Sequence, residues 1–288
     1  LAVMLVAAKL GAEVAVRWLR QPPVIGELLA GVLIGPYALG SITPPGAGGP
    51  VFPTDGGGPG AAPVSAALLL FTQVGAAVLL FDAGLQTDLH QFARRGLQAT
   101  VVAIGGVVLP FGLVAVAVVM LGLAPTITSP GALFMGAVVT ATSVGITARV
   151  LSDLRKLQTP EGVTIVGAAV VDDVLGILVL AIVTGALTTG SVSLAEVVWY
   201  AVRALGFWGV MVAVMVVAGG AMSAFLLRLH SEGAVLGLGL ALALFAGVAA
   251  EHAGLAFIIG AYSAGLGLSR TAVAAQLSES LQPVAHAV

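Results

Sequence analysis

Apolar segments about 20 residues long recur along almost the whole chain, which sharply limits what it can fold into. In lipid every backbone N–H and C=O must pair within the protein, so such segments cross as helices, since they are too long for barrel strands. Nine candidate spans can be read: Leu1–Trp18, Val24–Leu39, Val64–Leu85, Leu97–Leu121, Gly131–Leu151, Gly162–Leu187, Leu205–Leu227, Gly233–Ala250 and Gly254–Leu268. Only 8% of the residues are charged, against about a quarter in soluble domains. Mean hydropathy is +1.12. The expected class is an all-α polytopic membrane protein. The 39 glycines suit close helix approach, and several spans are short or glycine-interrupted, as transporter helices are near binding sites. With no cysteine, disulfides and thiolate metal sites are excluded, and a net charge of −2 argues against a nucleic-acid partner.

Lysines and arginines cluster in alternate connections. Arg17, Arg20, Arg94, Arg95, Arg149, Arg155, Lys156, Arg228 and Arg270 all fall on one side of a nine-span arrangement. Positive loops mark the cytoplasm, so the N-terminus is expected outside, in a multi-pass protein of the cell membrane. The Gly/Pro-rich stretch 43–63 reads as a flexible external loop. Residues Ser193–Arg203, with Trp199 and Tyr200, suit an interfacial helix leading into the next span. Both ends of the chain read as cut, since Leu1 already lies inside an apolar run and LQPVAHAV turns apolar again.

The sharpest anomaly is VGAAVVDDVLGILVLAIV, where Asp172 and Asp173 interrupt an otherwise oily span. One ionisable group at the centre of a span costs about 2.5–3.5 kcal/mol on insertion scales. Two adjacent carboxylates add mutual repulsion, unless one is protonated or a cation lies near. Neighbouring helical positions are about 100° apart, so one carboxylate can line a cavity while the other points into helix contacts. The pair could be purely structural; the reading adopted is that Asp173 binds an ion and Asp172 holds a structural counter-charge.

One span earlier, TATSVGITAR places Thr140, Thr142 and Ser143 before Gly145. Hydroxyls that bond the local backbone weaken a helix, and an unwound stretch at membrane depth is tolerated where it lines a cavity or lies in protein. Freed carbonyls, hydroxyls and an aspartate make a hard-oxygen site for a small cation; close packing of small residues is the plainer alternative. Glu27 is read as complementing a helix dipole; Asp82 either snorkels to the interface or faces an inner vestibule; Glu251 with His252 reads as a solvated outer turn, with a pH sensor as the alternative. His90, His230 and His286 are too scattered to ligate a metal. There is no phosphate-cradling loop and no Ser–His–Asp set, hence no expected cofactor and a transporter rather than an enzyme.

The segments PPVIGELLAGVLIGP, LLFDAGLQTDL, TATSVGITARVL, VVDDVLGILVLAIV and GLAFIIGAYSAGL occur in that order. Together they resemble the sodium/proton antiporters of the monovalent cation:proton antiporter superfamily. The resemblance implies an inverted-repeat fold with discontinuous crossing helices, a homodimer and alternating access. It makes Asp173 the carboxylate that binds either Na+ or a proton, Asp172 its neighbour, and Thr142 and Ser143 part of the unwound crossing. The Asp-Asp pair leans toward sodium or lithium, with potassium/proton exchange or potassium efflux as the alternative. Residues 1–288 are then part of one sodium/hydrogen exchanger transmembrane domain, with the ion-site helices in 131–187. About four further spans are expected to be missing, and the piece alone is expected not to transport. A remote alternative is an intramembrane aspartyl protease using Asp82 and Asp173.

Overall fold

A computed structural model describes residues 2–35, 38–41, 66–189, 194–228 and 233–287. The expected external loop 43–63 and His230 lie outside the described residues. Twelve α-helices are described: α1 (Ala2–Val14), α2 (Pro23–Ile34), α3 (Ala66–Gln86), α4 (Leu89–Arg94), α5 (Gly96–Met120), α6 (Pro130–Thr140), α7 (Val144–Asp153), α8 (Pro160–Thr189), α9 (Leu194–Leu226), α10 (Ala234–His252), α11 (Phe257–Leu268) and α12 (Val273–Ala287). A π-type turn, Ala15–Leu19, extends α1. Among the described residues six segments, counting α6 with α7 as one, are long and apolar enough to cross a membrane. Two shorter apolar helices, α2 and α11, accompany them. The molecule is a multi-pass, all-helical membrane protein.

Local chemistry sets the boundaries. Proline at the first helical position opens α2, α6 and α8, where a missing N–H costs nothing. Asp88 caps α4 by accepting from the His90 and Gln91 backbone N–H groups. Those two groups, Gln91 foremost, hold the Asp88 carboxyl below its ordinary range. The stretch from Leu194 is helical and runs without a break into the following span, all of it α9. Arg149 departs from its expected loop position, since it sits inside α7 and is 9% exposed. The reading of nine spans ended at Leu268, whereas a further helix, α12, follows and packs on α3.

At the centre lies α11, whose residues Ile259 to Leu268 are all buried among α3, α9 and α10. Glycine makes this possible. A Cβ on Gly84 would meet the Tyr262 carbonyl oxygen and come within 3.0 Å of the Gly265 Cα. The backbones of α3 and α11 therefore touch, as small residues permit in membrane helix pairs. The Tyr262 hydroxyl donates to Thr87 at 3.3 Å, and Trp208 donates to Ser263 at 3.1 Å, fixing α11 to α3 and α9. On the other side α5 packs against α6 and α8. This holds the interrupted helix and the aspartate-bearing helix together.

Candidate ion site at the helix break

Between α6 and α7 the helix stops for residues 141–143. Ala141 and Ser143 are both extended, with ψ of 114° and 107°. A helix end at membrane depth leaves carbonyls and N–H groups without intrahelical partners. The hydroxyls around the break meet part of that need. Thr140, 1% exposed, donates to the Ala137 carbonyl at 2.8 Å. Thr142 donates to the Thr140 carbonyl at 3.4 Å. Ser143 caps α7 by accepting from the Ile146 N–H at 3.3 Å.

Asp172 and Asp173 project from the middle of α8, which packs against both halves of the broken helix. Asp172 is buried, and the Thr142 backbone N–H and hydroxyl approach its carboxylate. Asp173 is half-buried. In each aspartate one buried oxygen, Oδ2, has no hydrogen-bond partner among the described residues. A buried acceptor left unmet costs about 1–3 kcal/mol, more when charged. Chemically the pair can accept a proton or share a hard, small cation with backbone and hydroxyl oxygens.

Other acidic residues fall elsewhere. Glu27 does not act on a helix N-terminus: it lies within α2 and pairs with Lys9 of α1 at 2.9 Å. Opposite charges in adjacent spans were the available signal, although 18 residues separate them. Asp82 does not snorkel. It is 6% exposed, accepting from Ser278 of α12 at 2.6 Å and from Gln86 at 2.8 Å. Glu251 and His252 are exposed at the end of α10 rather than in a separate turn.

The family described as sodium/hydrogen exchanger, transmembrane, matches residues 2–287. The chain belongs to the sodium/hydrogen exchanger family. It is similar to the high-affinity Na(+)/H(+) antiporter NhaS3 of Synechocystis, at 35% identity over 99% of this chain and 64% of that protein. The probable Na(+)/H(+) antiporter GerT of Bacillus cereus is 32% identical over 100% of this chain and 69% of its own length. The Na(+)/H(+)-K(+) antiporter GerN of the same species is 31% identical, over 100% and 67%. The chain thus spans about two thirds of the length of these curated relatives. A Na(+)/H(+) antiporter of Enterococcus hirae is 30% identical over 100% of this chain and 69% of its own length.

Proposed function

We propose that this chain forms part of a secondary transporter that exchanges sodium or lithium for protons by alternating access, with Asp173 carrying cation and proton in turn. The observation behind this reading is the pair of buried, partnerless oxygens, Asp172 Oδ2 and Asp173 Oδ2, beside an interrupted helix. Either a proton or a cation would satisfy such an oxygen, and both cannot occupy the same lone pairs. Exchange needs only this mutual exclusion and a barrier against moving the site empty. An uncompensated carboxylate in the hydrocarbon region supplies that barrier.

Asp172, approached by Thr142, holds a fixed counter-charge beside the ion. Thr140, Thr142, Ser143 and the freed carbonyls supply further oxygens of the hard kind that small cations prefer. Residues 1–288 form part of one exchanger domain, with the ion-site helices in 131–187 and nine spans by the alternation of basic loops. The N-terminus of this stretch lies outside the cell membrane, and two copies associate as a dimer in an inverted-repeat fold. The antiporter names of relatives at 30–35% identity support sodium/proton exchange. Potassium is the second reading, favoured by the name of one relative. The tied carboxylate of Asp82 speaks against a protease that would need it free for catalysis.

Proteoliposomes holding the complete transporter, with a pH-sensitive dye trapped inside, test the proposal. Sodium added outside should drive proton movement in the wild type and none in Asp173→Asn. Activity should also fall steeply in acid, because protons then win the shared oxygen by mass action. Equal signals from wild type and Asp173→Asn would make the carboxylates structural and remove the reading.

A further inference from the structure

Leu79, Asp82, Ala83 and Gln86 lie on one face of α3, at the three- and four-residue spacing that aligns side chains. Three spaces follow that face. A groove of about 490 Å³ lies between α1, α2, α3 and α7; Leu79, Ser143, Ile146 and Arg149 are among its walls. A polar vestibule of about 810 Å³ is bounded by Gln86, Asp88, His90, Gln158 and Arg270. Between them is a cavity of about 20 Å³ walled by Leu79, Asp82, Arg149 and Ser152. That is room for a single water.

The groove and the small cavity share walls. Leu79 and Arg149 face both the groove and the small cavity. Gln86 faces the vestibule and donates to Asp82. Leu79, Arg149, Asp82 and Gln86 thus link the groove beside the helix break, through the small cavity, to the vestibule, and the two ionisable walls of that cavity are oppositely charged. Both are held from behind: Asp82 by Ser278 of α12 and Gln86, Arg149 by Asp153 at 3.3 Å.

We propose that Asp82 and Arg149 form the constriction of the ion path, closing the helix break off from the vestibule. This rests on the transport reading above. Their roles are positional, since neither binds the carried ion. A guanidinium across a narrow passage repels cations, and Asp82, on the facing helix, lines the same small cavity. The passage opens when α7 shifts away from α3. The arrangement gives α7, which begins at the break, a direct mechanical link to the gate.

Because the sequence contains no cysteine, single introduced cysteines report access cleanly. Ile146→Cys marks the groove and Gln91→Cys the vestibule, with a charged, membrane-impermeant thiol reagent applied to the face bearing His90. Adding Asp82→Ala should speed labelling of Ile146→Cys about tenfold or more, while labelling of Gln91→Cys stays the same. An unchanged rate at Ile146→Cys, with Gln91→Cys labelling normally, would overturn the constriction. Should Asp82→Ala fail to fold, Arg149→Gln, which leaves Ser278 and Gln86 on Asp82, is read by the same two outcomes. Labelling needs no transport, so failure here leaves the exchange proposal intact, and loss of the exchange proposal shows separately at Asp173.

Discussion

Asp172 and Asp173 are paid for by the rest of α8, where Val166 to Val170 and Val174 are buried. Their visibility in the sequence follows from that contrast, since a carboxylate pair in an apolar run has few bland explanations. Ser143 illustrates a smaller effect. As the cap of α7 it accepts one backbone N–H, so Ser143→Ala should destabilise by about 1 kcal/mol, seen as a lower melting temperature in detergent. Ser143→Thr, which retains the hydroxyl acceptor without adding a charge, should recover most of the loss. Asp82 was harder to read. FDAGLQTDL looks like a helix end, and nothing local announces that Ser278, 196 residues on, reaches its carboxylate at 2.6 Å. The Lys9–Glu27 pair was signalled only by opposite charge in adjacent spans, because proximity between spans is a tertiary fact.

At the scale of elements, the interruption between α6 and α7 was legible because hydroxyls and glycine compete openly with the helix ladder. The last helix was not. In VAAQLSESLQPVAHA polar residues alternate with apolar ones, so α12 falls short of a span by composition although Leu277 and Leu281 are fully buried. In α9 the charged and aromatic residues before Arg203 suggest an interface, a signal that does not end a helix, and the segment joins the span without a break. The α3–α11 crossing gives a direct test. Gly84→Val would drive side-chain atoms into the Tyr262 carbonyl and the Gly265 backbone, where nothing flexible can give way. A loss of about 1–3 kcal/mol or more is expected, measured as reduced thermal stability in detergent, against little change for Gly105→Ala, whose Cβ meets open space.

The cap of α4 makes a pH prediction with a definite sign. Asp88 has its carboxyl lowered in the folded state by backbone N–H groups. Its contribution is therefore complete above the ordinary carboxylate range and is lost as pH falls through the lowered folded value. Hydrogen exchange at the His90 and Gln91 amides should stay slow from neutral pH down past the ordinary Asp range. Once the intrinsic rate is corrected for pH, it should speed up only in stronger acid. In Asp88→Ala it should be fast throughout.

Taken as a whole, the molecule turns large apolar side chains outward. Val217 is 84% exposed and Leu113 is 70% exposed, a surface that makes sense only against lipid. Val217→Asp should therefore cost up to about 2.5–3.5 kcal/mol of insertion free energy, visible as poor membrane integration, while Val217→Leu is neutral. Within that shell, α5, α6 and α8 bring the break and the aspartates together, and α3 carries the route past Asp82. The central claim is that one carboxylate serves two competing occupants. It is tested most directly by adding sodium to weakly buffered, detergent-solubilised protein and recording released protons across a pH series from about 5 to 9. The account predicts that sodium binding releases protons over part of that range and that Asp173→Asn releases none. Sodium bound by the wild type with no proton released at any pH would contradict it.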